Sequence, residues 1–280
     1  MGSDVGFVDN TGQFAHYNLI LKIKDLLTAT GEGWTTLRYD TSTANHELIL
    51  KGVGLTGAEE IFIGFRSYQS ESNDYYNMAV GLFTGYLSGN TFDTQPNAQI
   101  RGMPLHNNRI DYWMAWNAQR FCMAAKVGTP VYESCYVGKF LPYARPSQYP
   151  YPIVLGSMLT TAYPATRFSD TSHSIPYKGN RANLRMRDVG GAFIQPYAMP
   201  YEASAPSPRF TRETGGRYHL VPIELYTSST EIYGALDGIF FITGFNNTVE
   251  NTVVIDTVTY VVIQDVYRTG FDDFYAMRLD

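Results

Sequence analysis

The sequence is poor in the residues that build disulfide-rich domains and membrane proteins. It contains only two cysteines, Cys122 and Cys135, which cannot form a disulfide framework. Two buried free thiols are expected, although a predicted turn at VGTPV between them leaves a face-to-face arrangement open. No apolar run approaches the ~20 residues of a membrane helix, and the first residues, MGSDVGFVDNTG, lack the apolar core of a secretory signal. We therefore expect a protein that folds in a cytoplasm and has no membrane partner.

Charge is also scarce. Charged residues make up 17% of the chain, below the usual share of about a quarter, and the net charge is −5. The densest basic cluster contains Arg181, Arg185 and Arg187, and Asp188 follows it directly. Binding to a nucleic-acid duplex normally requires an excess of Lys and Arg on one face, so nucleic acid is not an expected partner.

The common catalytic and metal-binding motifs are missing. There is no nucleophile elbow or phosphate-binding loop, and none of the five histidines has a metal-ligand spacing to another His or Cys. Asp170, Ser172 and His173 are close in sequence, but triads are assembled by the fold, so we interpret this proximity as coincidence. Adjacent carboxylates such as Asp272 and Asp273 would face opposite sides of a strand, which disfavours a glycosidase pair. We predict no catalytic residue, metal or cofactor.

The chain is instead rich in aromatic residues, with 22 Tyr and 16 Phe. Tyrosine suits both a large β core and surfaces buried against partners. A helical repeat occurs in GQFAHYNLILKIKDLLTATGEG, and Gly31 is expected to end that helix. We expect this first regular element to pack Phe14, Ile20, Ile23 and Leu27 on the strands that follow, because an isolated helix of this length is marginal in water.

Beyond this helix the hydrophobic period changes to two, which predicts strands. The predicted strands are Trp34–Asp40, Glu47–Gly52, 60–69, 73–86, Ile110–Asn117, 120–127 and 131–141. Residues 87–108 are rich in turn formers and are predicted to form a long surface loop. Residues 142–156 contain four prolines and are expected to lie extended over the core. Strands return in the last seventy or so residues, with a predicted turn at 256–259.

These patterns predict a mainly β protein of antiparallel, sandwich-like sheets with one N-terminal helix and long loops. We expect an N-terminal helix and β region at 1–156 and a loop-rich insertion or arm at 157–210. A C-terminal β region at 211–280 is expected to complete the same core, with one single domain as the alternative.

Several motifs resemble a virion protein family of tailed bacteriophages and prophages. They are GALDGIFFITGFNN, TYVVIQDVYRTGFDDFYAMRLD, WTTLRYDT, HELILKGVGLTGAEEIFIGFRSYQ, DYYNMAVGLFTGY and VYESCYVGKFLPYARPSQYPYP. Together they cover about residues 34–152 and 234–280. The resemblance implies a structural, non-enzymatic tail or baseplate component, with the sheath–baseplate junction of a contractile tail as a position. It also implies contacts with other tail proteins and supplies no catalytic residues.

Residues 162–210 are the expected assembly arm, because they combine Pro, Gly, Ser and Arg with few long apolar runs. In a ring of copies, we predict that Arg181, Arg185 and Arg187 meet acidic groups of a neighbour. Tyr197 and Tyr201 are predicted to fill apolar pockets there as anchors. A mobile surface excursion is the alternative for this segment.

Two other functions remain open at this point. The first is a receptor- or carbohydrate-binding module, for which Trp113, Trp116 and the Tyr-rich loops would form the platform. The second is a cell-wall hydrolase. Glycan binding would favour the first, and clearing of a peptidoglycan suspension would favour the second.

Overall fold

The computed structural model describes residues 1–128, 130–201, 218–227 and 231–280. Its elements are β1 (Gly2–Val8), α1 (Ala15–Leu27), β2 (Trp34–Asp40), β3 (Glu47–Gly52), β4 (Ile61–Ser70), β5 (Tyr75–Phe83), β6 (Gln99–Met103), β7 (Ile110–Asn117), β8 (Arg120–Lys126), β9 (Tyr132–Lys139), β10 (Leu141–Pro142), β11 (Ile153–Ser157), β12 (Leu184–Arg187), β13 (Phe193–Ile194), β14 (Tyr197–Met199), β15 (Val221–Thr227), β16 (Glu231–Phe241), β17 (Thr252–Ile255), β18 (Val258–Gln264) and β19 (Phe274–Arg278). The predicted class, mainly β with antiparallel sheets and one N-terminal α-helix, is confirmed.

The strands form three antiparallel sheets. Sheet A has the order β1-β7-β8-β9-β11-β12-β13, sheet B the order β2-β3-β4-β5-β6, and sheet C the order β14-β15-β16-β19-β18-β17 with β10 added beside β16. Sheet A is the central layer. On one face, the Ser134 hydroxyl lies 2.6 Å from the Tyr275 hydroxyl of sheet C. On the other face, the Phe121 ring lies 5.3 Å from the Phe65 ring of sheet B.

Helix α1 packs between sheets A and B. Its side chains Leu19, Ile20, Ile23 and Leu27 are fully buried, and the helix contacts β2, β4 and β5 as predicted. The helix ends at Leu27, where the Thr28 hydroxyl and N–H both donate to the Lys24 carbonyl oxygen. The expected end at Gly31 is wrong, because the next N–H, that of Ala29, donates to the Leu26 carbonyl oxygen and so leaves the α-helical i→i−4 pattern before Gly31.

The helix is also not the first regular element, because β1 precedes it. Gly2 and Gly6 of β1 lie directly under aromatic rings of β7. A Cβ atom added to Gly2 would come within 2.4 Å of the Trp116 ring, and one added to Gly6 within 2.8 Å of the Tyr112 hydroxyl. Because these glycines have no side chains, two large rings can pack on the strand. Glycine is depleted in strands, so residue propensities did not predict β1.

The predicted long loop at 87–108 is wrong in its second half. Residues Gln99–Met103 form β6, the edge strand of sheet B, and Phe92 and Leu105 are buried. The turn formers before β6 are folded around the buried Gln95 side chain, whose amide donates to the carbonyl oxygens of Leu87 and Asn90. Internal hydrogen bonds therefore allow this polar segment to cover a hydrophobic cluster.

The other expectations have mixed outcomes. Strands Trp34–Asp40, Glu47–Gly52 and Ile110–Asn117 have the predicted bounds. The turn predicted at 256–259 joins β17 to β18 but consists of Asp256 and Thr257 only, because Val258 and Thr259 belong to β18. Cys122 and Cys135 are buried free thiols. Because Cys122 pairs with Tyr136 and Cys135 with Met123, the two thiols point to opposite faces of sheet A.

The segment from 157 to 201 contributes directly to the core. Strand β12 pairs with β11 in sheet A and forms a hairpin with β13. Ile175, Tyr177, Leu184 and Met186 are buried. Residues 202–217, which include part of the predicted arm, lie outside the described residues.

Candidate assembly surface

Two of the predicted arginines lie on β12, close to the edge of sheet A. Along this strand, Leu184 and Met186 are buried while Arg185 and Arg187 are half-buried. This alternation places both arginines on one face of the strand. The fold therefore brings together two of the three cations that the sequence singled out.

Arg187 stacks on an exposed tyrosine. Its guanidinium carbon lies 4.9 Å from the centroid of the Tyr151 ring, and its Nε donates to the Gly191 carbonyl oxygen at 3.2 Å. The Tyr149 hydroxyl donates to the Arg187 carbonyl oxygen and holds the backbone of the strand in place. The Tyr151 side chain remains 55% exposed, so this cation–π pair is available to a partner.

Tyr151 also separates two surface concavities. One, of about 150 Å³, lies between Tyr151 and the β12–β13 turn, where Val189 is 59% exposed. The other, of about 370 Å³, lies between Tyr151 and the ion pair in which Lys139 Nζ is 2.9 Å from Glu59 Oε2. An exposed ring between two concavities is typical of protein interfaces, in which an anchor side chain of one partner fills a pocket of the other.

The third predicted arginine, Arg181, lies on a tyrosine stack. Its guanidinium carbon is 3.6 Å from the centroid of the Tyr197 ring, and its Nη2 donates to the Gln195 carbonyl oxygen at 2.6 Å. The Tyr197 ring in turn lies 5.2 Å from the Tyr226 ring, with an interplanar angle of 27°. Tyr197 is thus partly covered by its own chain, whereas Arg181 is exposed.

The arginines near this surface make no ion pair within the described residues, although Asp188 lines the smaller concavity beside Arg187. None of the arginines Arg101, Arg181, Arg185 and Arg187 has a carboxylate within 4.0 Å in that part of the chain. Burial and then the charge of Arg185 lower the pKa of Arg101 to about 10. Cations left without counter-ions are suited to acidic groups of a neighbour, and this role of Arg181, Arg185 and Arg187 stays a prediction.

Tyr201 makes its contacts within its own chain. Its ring lies 5.4 Å from the Phe241 ring, and its hydroxyl donates to the Phe274 carbonyl oxygen. Burial raises the pKa of this hydroxyl well above its ordinary value. We therefore assign Tyr201 to the attachment of β14 to sheet C and leave it out of the candidate surface.

A buried cluster ties the segment before β12 to the core. His173 Nε2 lies 2.9 and 3.0 Å from the two carboxylate oxygens of Glu133 on β9. Arg268 donates to the carbonyl oxygens of His173 and Thr171 at 2.9 and 3.0 Å, and Asp265 accepts from the Ile175 N–H at 2.7 Å. His173 thus faces Glu133, forty residues away in sequence, a partner that sequence spacing does not indicate.

The two tryptophans considered for a carbohydrate-binding platform are not exposed, whereas Tyr143 and Tyr151 of a Tyr-rich loop are. Trp113 and Trp116 are only 9% and 4% exposed, and Trp116 Nε1 donates to Glu32 Oε2 at 2.7 Å. Both rings are buried because β7 is an inner strand of sheet A. Tyr151 and Val189 were missed as surface residues, although the sequence YPYP around Tyr151 is typical of an extended, exposed segment.

In the described ranges, no group of three or more His, Cys, Asp or Glu side chains is placed to hold a metal ion. No helix among those residues is long and apolar enough to cross a membrane. The chain matches no known protein-family model. No curated protein matches it either, so the phage resemblance rests on the motifs quoted above.

Proposed function

We propose that this protein is a non-enzymatic structural component of a tailed-phage virion. In this role it holds tail or baseplate subunits together by protein–protein contacts, near the sheath–baseplate junction. Its partners are other tail proteins and copies of itself in a ring. The motif resemblance supports the virion family, and the surface around Tyr151 supports the assembly role.

The motifs that support the proposal coincide with the strands of the core. They cover β2, β3, β5, β9, β10 and β19 in full, and most of β4, β16 and β18. Of the candidate surface, Tyr151 lies within the last motif quoted, whereas Arg181, Arg185, Arg187 and Val189 lie outside the motifs. This division suits a family that keeps a common framework and varies its contacts.

The observation that carries the assembly role is the Arg187–Tyr151 pair between two concavities. An exposed, cation-stacked ring can enter a neighbour's pocket without first being ordered, since its own chain already holds it. The arginines beside it, which make no ion pair among the described residues, suit an acidic neighbour.

Particle assembly provides the test. We expect Tyr151→Ala to leave the free protein folded and to reduce its incorporation into particles by tenfold or more, the scale of a hot-spot residue. Tyr267→Ala is the matched control, because Tyr267 is also exposed, at 48%, and lies beside an arginine. Equal incorporation of both variants would remove the Tyr151 surface from the proposal.

Localisation separates this proposal from its rivals. A particle reconstruction should place the chain within the tail or baseplate. Absence of the chain from purified particles would refute the virion role. Specific glycan binding by the isolated protein would favour the receptor-binding alternative, and clearing of peptidoglycan would favour a hydrolase.

A further inference from the structure

Strand β1 exposes one full side of its backbone. Within the described residues it pairs with β7 only and forms one end of sheet A. The direction of its free groups follows from the ladder beside it. The Lys139 N–H donates to the Gln119 carbonyl oxygen and the Val127 N–H to the Val131 carbonyl oxygen, so the odd-numbered residues of β8 bond toward β9.

Along an antiparallel ladder without a register shift, successive residues direct their backbone hydrogen bonds alternately to one neighbouring strand and to the other. The even-numbered residues of β8 bond to the odd-numbered residues of β7, and the even-numbered residues of β7 bond to Gly2, Asp4, Gly6 and Val8. The N–H and C=O groups of Ser3, Val5 and Phe7 therefore point away from the sheet. Three donors and three acceptors lie in a row at this edge.

The side chains of the same three residues are exposed. Val5 is 56% exposed and Phe7 is 51% exposed, on the face of β1 opposite to the two rings that cover Gly2 and Gly6. The guanidinium of Arg109 stacks on the Phe7 ring, with its carbon 3.9 Å from the ring centroid. The outer face of the free edge thus presents two apolar side chains, with one guanidinium stacked on Phe7.

Nothing in β1 protects this edge. Natural edge strands are usually blunted by Lys, by Pro, by a bulge or by being very short. β1 has none of these features, because its seven residues pair with β7 without a register shift. In sheet B, by comparison, the edge strand β2 has a register shift between Thr36 and Arg38.

The edge is also held in place before any partner arrives. Asp4 accepts from the Tyr112 hydroxyl at 2.7 Å and lies 3.2 Å from Lys22 Nζ of α1. With the two rings on Gly2 and Gly6, these contacts fix β1 against β7 and α1. An added strand would therefore meet an ordered template, which lowers the entropic cost of pairing.

We propose that β1 pairs with β1 of a second copy of this chain, antiparallel and around a two-fold axis at Val5. Only this register uses every outward group. Val5 meets Val5 of the second copy, and Ser3 meets Phe7 in both directions, which gives six hydrogen bonds. Any shift that keeps outward groups opposed leaves at least one residue of each free row unpaired.

The side chains tolerate the same register. Asp4, the only charged residue of β1, lies opposite Gly6 of the second copy, so no like charges oppose each other. Gly2 lies opposite Val8. A groove of about 300 Å³ lies between the end of β1 and α1, lined by Leu21 and Asn18 and by the charged Lys22 and Asp25. The two A sheets then form one continuous sheet across the dimer, independent of any virion role.

Sedimentation velocity of the full chain over a concentration series tests the pairing. We expect a species of twice the 31.5 kDa chain mass that dissociates on dilution. Val5→Pro removes an outward N–H and leaves the β7 ladder intact, so we expect at least a tenfold weaker dimer. Val5→Thr keeps the N–H and should still dimerise. A wild-type monomer throughout, or an unchanged dimer in Val5→Pro, would overturn the proposal.

A charge exchange tests the position of the axis, even if the proline variant fails to fold. Val5→Lys and Val5→Glu each place like charges face to face, and each alone should be monomeric. Their mixture should recover the dimer, because Lys then faces Glu. Dimers of either variant alone, or a mixture that stays monomeric, would contradict a two-fold axis at Val5 and point to another occupant.

Discussion

The imidazole of His173 and the carboxylate of Glu133 form a buried pair, with Nε2 2.9 and 3.0 Å from the two oxygens. Neither side chain is more than 6% exposed. Burial raises the pKa of Glu133 to about 7 although His173 opposes the rise. Burial acts against the charge of His173, but the hydrogen bond and charge of Glu133 outweigh it and raise its pKa. The pair joins the segment before β12 to β9.

This pair predicts a pH dependence of stability. Both groups bind protons more tightly in the folded chain, so the folded state holds more protons between about pH 4.5 and 7. The contribution of the pair is therefore greatest below pH 4.5 and falls as pH rises through 7 and through the raised pKa of His173. Urea unfolding from pH 5 to 8 should show a smaller decline for Glu133→Gln, by about 1–3 kcal/mol. If the free energies of unfolding of the parent protein and of Glu133→Gln change with pH in parallel, the pair does not titrate in this range.

A second prediction concerns Arg120, whose buried charge should affect the free energy of unfolding. Its side chain is fully buried, with Nε 3.4 Å from Asp237 Oδ2 and Nη1 donating to the Ala115 carbonyl oxygen at 2.9 Å. Asp237→Ala leaves the buried cation without its counter-ion and should cost about 3–5 kcal/mol in urea unfolding. The double variant Arg120→Met with Asp237→Leu should cost less than the single one. A larger loss in the double variant would mean that packing, not charge, dominates this site.

The helix provides a third prediction. Ile23 is fully buried between sheets A and B, so Ile23→Asp places a charge in the core and should lower the free energy of unfolding by several kcal/mol. Ala29→Asp is the control, because Ala29 is exposed just beyond the helix. Thermal melts should separate the two variants clearly. Overlapping melts of Ile23→Asp and the parent protein would contradict the burial of this face.

Limited proteolysis tests the expected arm. We predict that residues 162–210 contain sites that are cleaved in the isolated protein and protected in the particle. Trypsin should act after the exposed Arg181, whereas the stretch bound by Arg268 and Asp265 around Ile175 should resist. Equal cleavage in both states would mean that this segment is not an assembly arm. The interface would then have to lie elsewhere on the aromatic strands.

Local patterns in the sequence were sufficient for the fold class and for several strands. Trp34–Asp40 and Ile110–Asn117 were predicted with the correct bounds because each is a short run rich in residues that favour strands and is bordered by turn formers. The position of α1 was predicted because its apolar stripe repeats within the segment itself.

Tertiary structure decided what depends on partners distant in sequence. β1 is a strand because Trp116 and Tyr112 cover its glycines, and His173 is buried because Glu133 lies beside it. Trp113 became a core residue, and not a platform, through its place inside sheet A. Strand propensity depends on the neighbours that a fold supplies. The sequence therefore determined the kinds of elements, and the packing of three sheets decided which side chains remain available for assembly.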